Sequence, residues 1–353
     1  MSRGRLLALL LIACGANALV DFARAEPPAG GAAATETKGS APVTAAKEAG
    51  DAKAEDRPAA DKSSDNAAAE KKGNDAKFIR VRRDEDGKPL ALETAVVRYQ
   101  PTDGAAKMVV VDLIGAVHVG DKTYYDELNK RFADYDVLLY ELVAPPGAKI
   151  PKGGRNGQAS GHPVGAMQDG MKAMLELDHQ LDRIDYTAEN FVHADMSPDE
   201  FSKTMTDRGE SFMQMFFRLM GQGAAQQASG GSKDMAILMA LFSRDRAQRM
   251  KVAMAEQFEN LEGQMAAFDG PEGSTIITER NKKAFEVLSR ELKDGKTKIG
   301  VFYGAGHLPD MERRLLADFG MKRSGEEWVP AWSLLAAKKR SADKTPPADK
   351  QDN

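Results

Sequence analysis

The spacing of apolar positions changes along this chain, and the changes divide it into elements. Phe78 to Arg83 and Leu90 to Tyr99 flank Asp84-Glu85-Asp86-Gly87, which predicts a β-hairpin with a Gly-containing turn. Thr102-Asp103-Gly104 is a second turn. Lys107 to Ile114 (KMVVVDLI) and Val137 to Leu142 (VLLYEL) are nearly continuous apolar runs of strand length, and the first reads as central. Between them Lys122 to Phe132 has helical spacing, with Asp121 as the expected cap. Strand, helix, strand predicts a parallel pair with a right-handed crossover.

The Gly- and Pro-rich loop from Ala144 to Gly170 reads as a cover for a site. Beyond it the period lengthens to that of helices. Met213, Phe216, Phe217 and Met220 form one apolar stripe, and Met235, Leu238, Met239 and Phe242 form another. Met250, Met254, Phe258, Leu261 and Met265 form a longer one. Gly221 to Lys233 separates the first two as a loop. Thr278 to Lys293 is a predicted helix ending near Gly295, Lys298 to Tyr303 a strand, and Leu308 to Phe319 a helix with Pro309 in its first turn. Met321 to Val329 and Ala331 to Leu335 suit a closing hairpin. The order predicts an α/β fold: a mixed β-sheet flanked by helices, with a helical insertion between Gly170 and Gly270.

The ends of the chain lack this patterning. Residues 1–25 read as a signal peptide: Arg3 and Arg5 precede an apolar stretch from Leu6 to Val20, and Ala23-Arg24-Ala25 is an A-x-A cleavage site. A rival reading makes Leu11-Ile12-Ala13-Cys14 a lipoprotein box, with Cys14 lipidated as a membrane anchor. Either way the protein is expected to be exported, periplasmic or extracellular. Residues 26–76 hold almost no large apolar side chain and read as a disordered linker, and residues 338–353 as a disordered tail. Residues 77–337 remain as one domain of about 260 residues. Cys14 is the only cysteine, so that domain has neither a disulfide nor a Cys metal ligand. The net charge is −4, with both signs interspersed, and no basic stripe points to nucleic acid.

Candidate chemistry begins with a repeated motif. Gly115-Ala116-Val117-His118 and Gly304-Ala305-Gly306-His307 each follow a predicted strand, where the Gly is expected to turn the chain sharply. The chain has only five His, and α/β sheets place ligands at strand ends, so His118 and His307 suggest a shared metal site. Glu141 interrupts an apolar run, and a buried carboxylate is costly unless paired or metal-bound. Parallel pairing is expected to bring strand ends 114 and 141 side by side, so Glu141 approaches His118 as ligand or general base. Arg280, in Thr278-Glu279-Arg280-Asn281, suits a substrate carboxylate or a developing oxyanion, although a surface position at a helix start is the somewhat better reading of the sequence alone. Asp195 reads first as a cap or turn residue before Ser197-Pro198-Asp199-Glu200, and His193 and Asp195 read otherwise as a further ligand or a partner of one. His162 and His179 read as structural or solvated. The seventeen Met sit with Phe and Leu in helical stripes, which favours core packing over copper binding. Gly-x-Ser-x-Gly, P-loop and His-Glu-x-x-His motifs do not occur.

GAVHVGD (115–121), LLYEL (138–142), TERN (278–281) and YGAGHLPDME (303–312) resemble the TraB/PrgY/TIKI family, also called TraB/GumN-like. Gln180, Asp185, Tyr186 and His193-Ala194-Asp195 are similar to its middle segment, and the resemblance covers residues 78–335. It implies a fold similar to erythromycin esterase-like and ChaN-like proteins, and a site of His118, His307 and Glu141 with Arg280. It also implies metal-dependent proteolysis, with manganese or cobalt as the ion and zinc as a further option. The expected function is an exported metal-dependent hydrolase acting on peptides or small molecules. The alternative is a non-catalytic protein of the same fold that captures a peptide, a haem-like ligand or a surface partner.

Overall fold

A computed structural model of the protein describes residues 77–103, 109–148, 150–151, 153, 175, 177–211, 245–269 and 273–335. The signal segment with Cys14, the linker, the tail, His162, most of the 144–170 loop, the 221–233 loop and the stripes at 213–220 and 235–242 lie outside the described residues. Leu261 and Met265 lie in a described helix, but their side chains are outside the description.

The first hairpin forms as its alternation predicts. Strands β1 (Ile79–Arg83) and β2 (Pro89–Pro101) pair antiparallel from Ile79↔Thr94 onward. Strand β3 (Val110–Ala116) pairs antiparallel with the far half of β2. After the two-residue strand β4 (Val119–Gly120), helix α1 (Lys122–Phe132) has the predicted bounds. Asp121 stands at its N-cap position but makes no side-chain cap bond. Its carboxylate instead meets Lys251 Nζ at 3.1 Å and accepts from Ser333 N at 2.5 Å, tying distant segments together.

Strand β5 (Val137–Tyr140) does not lie beside β3. Strand β8 (Lys298–Gly304) is inserted between them, parallel to both, with Ile299 opposite Val111 on one side and Val137 on the other. The expectation that strand ends 114 and 141 are neighbours is therefore corrected. The physical reason is that β8 is apolar on both faces and has a glycine where it crosses β5. A Cβ on Gly300 would stand 2.5 Å from Leu138 Cδ1, an approach that only glycine permits.

The expected helical insertion also contributes strands. Beyond β6 (Asp178–His179) and the single turn α2 (Gln180–Arg183), strand β7 (Phe191–His193) extends the main sheet parallel to β5. His179, expected to be structural or solvated in a helical stretch, lies in a strand and pairs with Val119 in a small β4–β6 ladder, a structural position. Helices α3 (Pro198–Asp207) and α4 (Arg246–Asp269) complete the described part of this region. A π-helical turn (Thr275–Glu279) leads into α5 (Arg280–Lys293), and a 3₁₀ turn (Ala305–His307) into α6 (Leu308–Ala317).

The closing hairpin is replaced by one long strand, β9 (Met321–Ser333), antiparallel to β2 along its length. Pro330, the residue that suggested a break, sits opposite Glu93 where the register shifts. A bulge in this position accommodates the missing N–H, so the strand continues.

Four parallel strands in the order β3-β8-β5-β7 thus continue an antiparallel part made of β1, β2 and β9. Both faces are covered. Leu138, Tyr140 and Phe302 point toward Tyr124, Tyr125, Leu128 and Phe132 of α1 and Met250 and Met254 of α4. Val137, Leu139, Ile299, Val301 and Tyr303 point toward Ala284, Phe285 and Leu288 of α5 and Leu308, Met311 and Leu315 of α6. Met250 and Met254 of α4 are core residues, as their stripe predicted. In the central strand, buried Asp112 is satisfied by a bidentate pair with Arg98 at 2.9 Å and by Tyr135 OH at 2.7 Å.

Candidate functional site

Each of the four parallel strands is followed directly by one or more charged or ionisable residues. His118 lies two residues past β3, Glu141 one past β5, Asp195 two past β7, and His307 three past β8. The carboxyl edge of a parallel sheet is where such folds gather ligand groups. Arg280, the first residue of α5, reaches the same place.

Arg280 is buried at 4 % exposure, which corrects its reading as a surface residue. Its guanidinium forks onto Asp195, with Nε to Oδ1 at 2.9 Å and Nη2 to Oδ2 at 2.6 Å. Nη2 also donates to Glu141 Oε1 at 2.7 Å. Asp195 is therefore the guanidinium's partner. The cap of α3 is Ser197, which forms a reciprocal capping box with Glu200. Burial opposes the charge on Arg280, but Asp195 and Glu141 outweigh it and raise its pKa.

The backbone before Arg280 is held by its own network. Gly273 has a left-handed φ of +70°, Ser274 Oγ accepts from Ile277 N, and Arg208 bonds both Gly273 O and Glu279. Glu210 accepts from Thr275 N at 3.0 Å. A π-turn inside a helix start is a local irregularity of the kind found at functional sites, and here it aims Arg280 inward.

Glu141 follows the last residue of β5, yet its side chain is only 10 % exposed. Oε1 takes the Arg280 bond, and Oε2 accepts from Gly304 N at 2.6 Å. A Cβ on Gly304 would stand 3.2 Å from Oε2, so this glycine serves close approach. The expectation that each motif glycine turns the chain sharply is corrected: neither adopts a left-handed conformation, and Gly115 lies inside β3, where a Cβ would crowd Ala95 O and Phe78 O. Burial alone would push the Glu141 carboxyl up. The charge of Arg280 and the His307 ring reverse this and hold it well below the usual range, so Glu141 is an anion.

His307 is 6 % exposed, and its tautomer follows from its neighbours. Asn281 Nδ2 donates to His307 O at 3.1 Å and to Asp310 Oδ2 at 2.8 Å, which uses both of its hydrogens. Asn281 Oδ1 must then be the acceptor toward His307 Nδ1 at 2.7 Å, so Nδ1 carries the hydrogen. Nε2 faces Glu141 Oε1 and Arg280 Nη1, each at 3.5 Å. His118 is half-buried; burial, Arg280 and His307 lower its pKa against the opposing pull of Glu141, so its ring is neutral near pH 7. His193 turns away from the cluster and bonds Leu142 O at 2.5 Å.

The structure thus brings together Glu141, Arg280 and His307, adds Asp195 and Asn281, and sets His118 within electrostatic reach. Asn281 was legible only as part of the Thr278-Glu279-Arg280-Asn281 run. The donor chemistry of two imidazoles and a carboxylate suits a first-row divalent ion. His307 Nε2 and Glu141 Oε1 at 3.5 Å also have the spacing of two ligands sharing one ion through bonds of about 2.0–2.2 Å. The third ligand is not in place: among the described residues no three of His, Cys, Asp and Glu are grouped to hold an ion. In comparisons with models of protein families, with curated proteins and with solved structures, the chain matched none.

Proposed function

We propose that this chain is an exported hydrolase acting on peptide bonds, with its site at the carboxyl edge of the parallel strands. One observation carries this reading. An ionised Glu141 and Nε2 of His307 face each other at 3.5 Å beside a buried guanidinium. Such a set can activate water and stabilise the negative charge of a tetrahedral intermediate. Export rests on the signal-like N-terminal segment, and among the described residues no helix is long and apolar enough to cross a membrane.

Each residue has a task. Glu141, kept ionised and fixed at both oxygens, accepts a proton from water. Arg280 Nη1 donates to neither carboxylate and lies 3.5 Å from His307 Nε2, so it is the guanidinium nitrogen offered to a developing oxyanion. Asp195 holds the guanidinium in place, and Asn281, bonded to Nδ1, sets the His307 ring so that Nε2 faces Glu141. A divalent ion such as manganese, cobalt or zinc would be held by His118, Glu141 and His307, and when bound it would supply an acidified water and a polarising charge. Arg280 and Glu141 are the residues that bear on catalysis directly.

The test is a peptide library incubated with the purified chain and manganese or cobalt, with products read by mass spectrometry. Cleavage that is lost with Glu141→Gln and with chelator supports the proposal; equal product from wild type and Glu141→Gln overturns it. A second reading, ligand capture without turnover, is favoured by the guanidinium already resting on Glu141. Absence of cleavage, together with a haem Soret band that shifts on binding and is abolished by His118→Ala, would support it.

A further inference from the structure

The two motif histidines differ in one respect. His307 has an evident partner in the Asn281 carboxamide, while His118 makes no comparable bond to a carboxylate or a backbone carbonyl among the described residues. Near His118, however, lies a second carboxamide. Gln180 N donates to His118 O at 2.9 Å, part of the same β4–β6 contact that pairs Val119 with His179. The Gln180 side chain is buried at 6 % exposure. Its Nε2 donates to Tyr186 OH at 2.7 Å, and Tyr186 is itself buried against Tyr140. In this orientation Nε2 donates to the Tyr186 hydroxyl, and Oε1 is left to accept.

With Nε2 anchored on Tyr186, Oε1 is the remaining acceptor. It has no hydrogen-bond partner among the described residues, and the backbone bond from Gln180 to His118 sets these two residues opposite each other beside the β4–β6 pair, where side chains are neighbours. A buried acceptor left in this state is destabilising, and a ring N–H beside it is the group that relieves it. Site contacts of this kind are often long without ligand and tighten when one binds.

We infer that Gln180 is a positioning residue for His118, the counterpart of Asn281 at His307, so that a carboxamide oxygen orients each Gly-x-x-His imidazole. The two halves of the site are then built alike. In each, a carboxamide has its nitrogen committed to a fixed acceptor and its oxygen left to accept from the histidine, a bond formed at His307 and to be made at His118, and one ring nitrogen is left for chemistry. Tyr186 acts through Gln180 and is the anchor of the arrangement. This rests on the proposed function only in treating His118 as a site residue.

The experiment needs neither substrate nor metal. The full chain is labelled with ¹⁵N-histidine, and ring-nitrogen shifts are read at neutral pH with chelator present. Five His make assignment by single His→Gln variants practical. In the wild type, His118 is expected in one dominant neutral tautomer. Gln180→Met should lower the ratio of the two tautomers about five-fold, the equivalent of one hydrogen bond at ~1 kcal/mol, and leave the His307 signals in place. Gln180→Glu, which keeps the acceptor, should restore the ratio. Tyr186→Phe keeps the packing and removes the anchor, so it should loosen the His118 tautomer even if Gln180→Met folds poorly. An unchanged His118 tautomer in folded Gln180→Met or Tyr186→Phe, or an equal change at His307, overturns the inference. Failure of peptide cleavage with the tautomer effect intact would count against the hydrolase and leave this positioning role standing.

Discussion

Replacing Arg280 with Met removes the one cation between two buried carboxylates. The side chains of Arg280, Asp195 and Glu141 are 5 %, 0 % and 10 % exposed, so solvent screens them little. Breaking a buried pair by deleting one partner typically costs about 3–5 kcal/mol, because the remaining charge stays buried. For a domain of this size that lowers the melting temperature by roughly 6–20 °C. Urea unfolding followed by tryptophan fluorescence reads the loss, since the fully buried Trp332 reports on the core. Arg280→Met combined with Asp195→Asn should cost less than the sum of the single changes, by on the order of 2 kcal/mol. The pH dependence carries the sign. In the wild type the depressed Glu141 contributes stability that is present above the unfolded carboxyl range and is lost as the pH falls toward its folded value. Without Arg280, burial dominates and raises the Glu141 pKa, so ionisation near pH 7 becomes destabilising. The gap between wild type and Arg280→Met should therefore narrow between pH 7 and pH 4. A loss under about 1 kcal/mol, an additive double variant, or a gap that widens toward acid would refute this account.

Gly304→Ala places a methyl 3.2 Å from Glu141 Oε2, so it should displace the carboxylate and cut peptide turnover at least ten-fold, with only a small change in melting temperature. Gly300→Ala drives a methyl to within 2.5 Å of Leu138, away from the site, and should destabilise by about 1–3 kcal/mol in chemical unfolding with the site chemistry intact once folded. Asn281→Leu removes the acceptor on His307 Nδ1 and leaves Asp310 short of a donor, and the expected loss is about 1–3 kcal/mol with turnover depressed beyond what stability explains.

Much of the sheet was legible because its strands are short apolar runs bounded by turns. Lys122 to Phe132, Lys298 to Tyr303 and the first hairpin stand close to where their patterning puts them. Strand order was not legible. That β8 enters between β3 and β5 depends on a glycine that admits Leu138, and periodicity carries no such information. Pro330 reads as a stop, yet an edge strand with a bulge absorbs it. In the site, Glu141 and His307 could be singled out because polar residues interrupt or end apolar runs. Asp195 stood only as the less favoured reading, because an acid before Ser-Pro-Asp-Glu has an adequate local explanation as a cap. Its role becomes visible only through a guanidinium 85 residues away in sequence.

The central proposal is that His118, Glu141 and His307 form a metal-dependent hydrolytic site. The most direct measurement is metal content by mass spectrometry on the purified chain after reconstitution with manganese, cobalt and zinc, beside Glu141→Gln and His118→Ala/His307→Ala. The account predicts near-stoichiometric ion in the wild type and its loss in both variants. No bound ion in the wild type, or equal ion in the variants, would contradict it.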